Sequence, residues 1–113
     1  MANSDFDDVL VVGTYRSGKA IEIPIGLNTE EQIKFINGLD VESAVDLMCT
    51  MEFLISNANP RKLNDFFKDD IEIYHYLFLD KMRLGAYDAE FEKLKIHTSI
   101  DRMKFGCMLV YGQ

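Results

Sequence analysis

The sequence has no apolar run approaching the ~18 residues a membrane-spanning helix needs, so no such span is expected. It also has no basic run. Twelve Lys and Arg against 19 Asp and Glu leave a formal charge of −7, which argues against direct binding of DNA, RNA or an anionic membrane surface. There are only two cysteines, Cys49 and Cys107, each in an apolar stretch and with no Cys-x-x-Cys pair. They read as buried thiols, and a zinc ribbon, a thioredoxin-type motif and a disulfide framework are excluded. Linkers and internal repeats are absent, as is the Gly-x-Ser-x-Gly nucleophile elbow. Met1 to Asp8 carries three acids and no base, the opposite of a signal-peptide start. The expected setting is cytoplasmic.

What is present is a foldable chain of 113 residues. At 48% hydrophobic and 27% charged it can bury a core but not divide into two domains. Residues 1–113 therefore read as a single domain with an acidic, flexible stretch at 1–8. The negative charge belongs to the first half. Residues 28–58 hold Glu30, Glu31, Asp40, Glu42, Asp46 and Glu52 against Lys34 alone, whereas acids and bases balance from residue 59 onward. The plainer reading of that acidity is solubility.

The expected fold is α+β. Val9 to Val12 favours strand, and Ala20 to Ile25 alternates with Ile21, Ile23 and Ile25 on one face. Tyr15-Arg16-Ser17-Gly18-Lys19 between them suits a hairpin turn. Pro24 suggests that the second strand lies at a sheet edge or ends there. Thr29 with Gln32 suggests a capping box opening a helix that Asn37-Gly38 closes. Asp40 caps a longer helix to about Ala58, and Asn59-Pro60 starts a short one with Leu63, Phe66 and Phe67 on its apolar side. Residues 71–84 alternate like a strand, yet Asp70 and Gly85 bracket them as helix start and stop, and helix is preferred. Asp88 opens a further helix with Phe91, Leu94, Ile96, Ile100 and Met103 inward, which His97-Thr98-Ser99 can interrupt. Phe105 to Tyr111 is apolar on both faces and is expected to be a covered strand. The architecture is then a small antiparallel sheet, hairpin plus C-terminal strand, packed on four to five helices.

Three patterns resemble catalytic or metal chemistry. Gly13 to Lys19 fits Gly-x-x-x-x-Gly-Lys, but Ala20 stands where a phosphate loop has Ser or Thr, and a strand follows instead of a helix. A hairpin turn is the better reading. Glu72-Ile-Tyr-His75 is a single Glu-x-x-His, whereas a di-iron site needs two such motifs and further Glu. A Cys–His pair would need a polar or basic setting to lower the thiol pKa, and neither cysteine has one. No catalytic residue, metal ligand or cofactor is assigned.

One surface carries the functional expectation. On the helix from Val41, the ridge Val45, Cys49 and Phe53 lies at i, i+4, i+8 in the polar half, between Glu42, Asp46 and Glu52. Either the helix is central and this ridge is core, or Phe53 is an anchor ringed by carboxylates, as at many protein–protein sites. Glu42 and Asp46 are like charges one turn apart with no base in helix reach, a strain of a few tenths of a kcal/mol that a basic partner would offset. The expected function is thus a small acidic, non-enzymatic regulator or inhibitor binding a protein through Phe53, Val45, Glu42, Asp46 and Glu52. A special case mimics nucleic acid on a basic nucleic-acid-binding protein. Small acidic inhibitors, phage-type ones among them, are alike in size and charge only. The alternatives are a homo-oligomer, such as a homodimer, built on the Phe53 ridge or the C-terminal strand, and a small enzyme or ligand-binder using His75, Tyr74, Tyr76 and Glu72.

Overall fold

The computed structural model describes residues 8–57 and 65–112. The chain forms β1 (Val9–Thr14), β2 (Ala20–Pro24), α1 (Thr29–Asn37), α2 (Val41–Asn57), α3 (Asp65–Arg83), α4 (Asp88–Leu94) and α5 (Ser99–Tyr111). It is an α+β fold, with β1 and β2 as an antiparallel hairpin and five helices among the described residues.

The hairpin forms where its pattern demands. Ile21 and Ile23 are fully buried and Glu22 between them is exposed. In the turn, the Tyr15 N–H donates to the Lys19 carbonyl at 2.8 Å and the Gly18 N–H to the Tyr15 carbonyl at 2.9 Å. The Gly-Lys pattern is therefore a hairpin turn and not a phosphate loop. A bulge between Val11 and Gly13 bends β1.

The α1 cap lies one residue earlier than the pattern suggests. Asn28 is the N-cap: its side chain accepts from the Glu31 N–H at 2.8 Å, and the Glu31 carboxylate accepts from the Asn28 N–H at 3.1 Å. Glu31, not Gln32, completes the box because Gln32 is drawn into the interior. Asp40 caps α2 as expected, its Oδ1 accepting from the Ser43 N–H at 3.2 Å. Residues 71–83 are helical, but as the larger part of one helix that already begins at Asp65, so Asp70 sits inside α3 and is not its cap, and Leu84 falls in the turn after it. The expected start at Asn59-Pro60 lies outside the described residues.

The expected C-terminal strand is a helix, α5. Thr98 caps it, its hydroxyl accepting from the Asp101 N–H at 3.1 Å, and this cap breaks the run from Asp88 where His97-Thr98-Ser99 suggested. Ile100, expected inward, is exposed. The two-sided apolarity that resembles a buried strand has another cause: α5 is wedged between α2 and β1. Two glycines permit the wedge. A Cβ on Gly106 would collide with the Cys49 carbonyl oxygen, and one on Gly13 would lie 2.7 Å from the Leu109 carbonyl oxygen. Backbone meets backbone at both points.

Helix α2 is the hub, buried on every side from Ala44 to Leu54. Around it pack Ile21 and Ile23 of β2, Ile71, Tyr74 and Phe78 of α3, Tyr87 and Ile96 beside α4, and Leu109 of α5. Burial of such side chains contributes about 1.5–3 kcal/mol each. No helix among the described residues is long and apolar enough to cross a membrane.

Candidate functional site

The acids of α2 find their bases inside the protein. Asp46 is fully buried and held from the hairpin turn by Arg16, whose Nε donates to Oδ1 at 2.7 Å and whose backbone N–H donates to Oδ2 at 3.0 Å. Arg16 Nη2 also donates to the Glu42 carbonyl at 3.2 Å and pairs with Glu90 Oε2 at 2.8 Å. Its guanidinium carbon sits 5.4 Å from the centre of the Phe105 ring, a cation–π distance. Burial pushes the Asp46 carboxyl above its ordinary value, against the pull of Arg16. One carbonyl, two carboxylates and a ring thus converge on one side chain, joining the turn, α2, α4 and α5.

A second network lies two turns on. Glu52 Oε2 accepts from His75 Nε2 of α3 at 3.2 Å and from Arg102 Nε of α5 at 3.1 Å. Burial pushes the Glu52 carboxyl up, but His75 and Arg102 outweigh it and hold it below the usual glutamate value.

These networks relocate the residues expected to bind a partner. Val45, Asp46 and Glu52 are buried, Phe53 is 9% exposed, and Glu42 is half-buried. Phe53 packs edge-on against Tyr111 with centroids 5.6 Å apart, and α5 covers it and Cys49. The ridge is core, and Arg16 supplies the base that the helix itself lacks. In this structure Val45 faces no solvent and Phe53 only a sliver of it, so neither offers a partner an open surface.

The His75 quartet is dispersed in the same way. Tyr74 is buried, its hydroxyl donating to the Pro24 carbonyl at 2.8 Å, and His75 is engaged with Glu52. Glu72 and Tyr76 face outward. Burial pushes the Cys49 thiol up to about 12, with Glu52 adding to the shift, so it is no nucleophile at neutral pH. Among the described residues no three His, Cys, Asp or Glu side chains stand close enough together to hold a metal ion.

Two of the concave places at the surface adjoin residues named above. A cleft of about 520 Å³ lies between the hairpin turn and the start of α2, lined by Tyr15, Ser17, Lys19, Asp40, Glu42 and Ser43, among others. Burial pushes the Tyr15 hydroxyl up to about 12, and the carboxylates of Asp46, Asp40 and Glu22 add to it. Lys19 lines the cleft as well, and the Asp40 carboxylate occupies the amide of Ser43 that an anion would use.

The other is a groove of about 370 Å³ on the outer face of α3, lined by Asp69, Glu72, Ile73 and Tyr76. Their spacing of i, i+3, i+4, i+7 puts them on one stripe. The opposite stripe, Ile71, Tyr74 and Phe78, is core. Helix α3 packs beside α1, whose first turn carries Glu30 and Glu31, both exposed. Asp70 accepts a hydrogen bond from the Gly26 backbone just before α1. Burial raises the Tyr74 hydroxyl pKa, and both Asp70 and Glu31 raise it further, so acids of the two helices act on one point. Sequence reading did not pick out this face as a unit, because residues 59–113 balance in charge overall and Glu72 and Tyr76 were grouped with the inward Tyr74 and His75. The available signal was the helical spacing of Asp69, Glu72, Ile73 and Tyr76. Compared with family models, with curated proteins and with solved structures, the chain finds no match in any of the three.

Proposed function

We propose that the protein is a small acidic, non-enzymatic regulator that acts by binding a protein partner with a basic surface. The observation that supports this is the division of its acids. Asp46, Glu52 and Glu90 are consumed by Arg16, Arg102 and His75 within the fold, whereas Glu30 and Glu31 of α1 and Asp69 and Glu72 of α3 stand exposed on adjoining helices. Such a surface speeds encounter with a basic patch and repels nucleic acid. Where the patch is itself a nucleic-acid groove, the carboxylates stand in for phosphates, and the protein inhibits by occupying it.

The test is capture from nuclease-treated lysate with the wild type and a Glu31→Lys/Glu72→Lys variant as bait. Salt is raised from about 0.1 M to about 1 M, which shortens the screening length from about 10 Å to about 3 Å. A stoichiometric basic partner, released by salt and lost with the charge-reversed bait, is expected. Capture indifferent to both would sink the proposal.

A second reading, a homo-oligomer, is favoured by one observation: Ile100, Met108 and Tyr111 are exposed large apolar side chains on α5. Sedimentation across a concentration series distinguishes it, since a chain monomeric at the highest concentration has no such interface.

A further inference from the structure

We propose that the outer face of α3 is the docking surface, and that its occupant is a basic amphipathic segment of the partner. This rests on the acidic-regulator reading above and names where and what it binds. Ile73 is 41% exposed and Tyr76 is 63% exposed, one turn apart on a helix whose other side is fully buried. An exposed aliphatic and an exposed aromatic this close offer the apolar centre that binding hot spots use, and tyrosine adds little ordering cost. The groove beside them is lined on α3 by the carboxylates of Asp69 and Glu72. Among the described residues neither carboxylate is in an ion pair. Asp80, next along the stripe, is paired with Arg83.

Charge complementarity then favours a basic occupant, the carboxylates of Asp69 and Glu72 outnumbering the exposed Lys68 beside them. Apolar side chains of the partner sit on Ile73 and Tyr76, and Lys or Arg one turn to either side meet Asp69 and Glu72. An amphipathic helix supplies both at the same spacing, i, i+3, i+4, i+7, as in other helix-in-groove contacts. Nucleic acid is repelled by the carboxylates, and an acidic peptide meets the same repulsion.

The experiment uses the full chain, ¹⁵N-labelled, titrated with three peptides of about 15 residues. One is an amphipathic Lys/Leu helix, one its Glu/Leu counterpart, and one oligolysine. The expected result is saturable binding of the Lys/Leu helix, amide shifts concentrated at residues 69–80, and binding about tenfold weaker in Tyr76→Ser and in Ile73→Ser. Both sites are exposed, and unchanged melting temperatures of the variants confirm their fold. Oligolysine binding is expected to be weaker and indifferent to either substitution. If the Lys/Leu helix binds with shifts centred on Glu30 and Glu31 and is indifferent to Tyr76→Ser, the α3 site is wrong while the acidic-regulator reading stands. If the Glu/Leu peptide binds equally well, the basic occupant is wrong. If neither basic peptide binds, both the site and the reading beneath it fall.

Discussion

Arg16 Nε lies 2.7 Å from Asp46 Oδ1, across 30 residues of sequence, with the carboxylate sealed from water. Removing the guanidinium leaves a buried charge with no counter-ion. Arg16→Ala is therefore expected to destabilise the fold by about 3 kcal/mol, the low end for a broken buried pair because Arg16 is itself partly exposed. Urea unfolding measures it. The double variant Arg16→Ala/Asp46→Asn should recover a substantial part, and no recovery would show that the loss comes from packing on Phe105 and not from charge.

Gly106 faces the Cys49 carbonyl, and a methyl there has nowhere to go. Gly106→Ala should cost about 1–3 kcal/mol or more, because the obstacle is backbone. Gly38 is the control. It has φ of −82°, and a Cβ there meets only ordinary contacts at 3.5 Å. Gly38→Ala should instead stabilise by about 0.4–1 kcal/mol. Melting curves of the two variants should move in opposite directions.

The two buried carboxylates on α2 titrate with opposite signs. Glu52 is held below its ordinary 4.5, so its ionised form adds stability above that pH, and the gain is lost as pH falls through the lower folded value. Asp46 is raised above its ordinary 3.8, so its ionisation costs stability above the folded value, and acid relieves that cost. The wild type should exceed Glu52→Gln in urea midpoint at pH 7, and the gap should close below about pH 4.5. A gap constant down to pH 3 would contradict the assignment.

Two buried tyrosines should respond differently to loss of the hydroxyl. The Tyr74 hydroxyl donates to the Pro24 carbonyl, whereas the buried Tyr87 hydroxyl has no hydrogen-bond partner among the described residues. Tyr74→Phe should cost about 0.5–1.5 kcal/mol, and Tyr87→Phe should be neutral or stabilising. Equal losses at both positions would contradict this difference, and chemical denaturation resolves it.

How much of this was legible in the sequence follows the range of the forces involved. The hairpin, the Asp40 cap and the length of α2 are set by neighbours a few residues apart, and the sequence declares them. The shift from Thr29 to Asn28 is one residue, within the ambiguity of two adjacent capping side chains. The C-terminal helix was misread because Phe105, Cys107, Leu109 and Tyr111 alternate. Their apolarity answers to α2 and β1 on different sides, which no local window contains. Burial of the Val45–Phe53 ridge was left open for the same reason: Glu52 meets Arg102 across 50 residues. The outer face of α3 was hidden by averaging. Glu72, Tyr74, His75 and Tyr76 are neighbours in sequence, yet the helix sends Tyr74 inward, His75 to Glu52, and Glu72 and Tyr76 to solvent.

Helix α5 is synthesised after everything it covers. Until Gly106 can settle on Cys49, the emerging chain presents Cys49 and Phe53 to water, and Glu52 lacks Arg102. Wherever α5 is undocked, α2 is therefore sticky and partly uncompensated, the kind of surface from which aggregation starts.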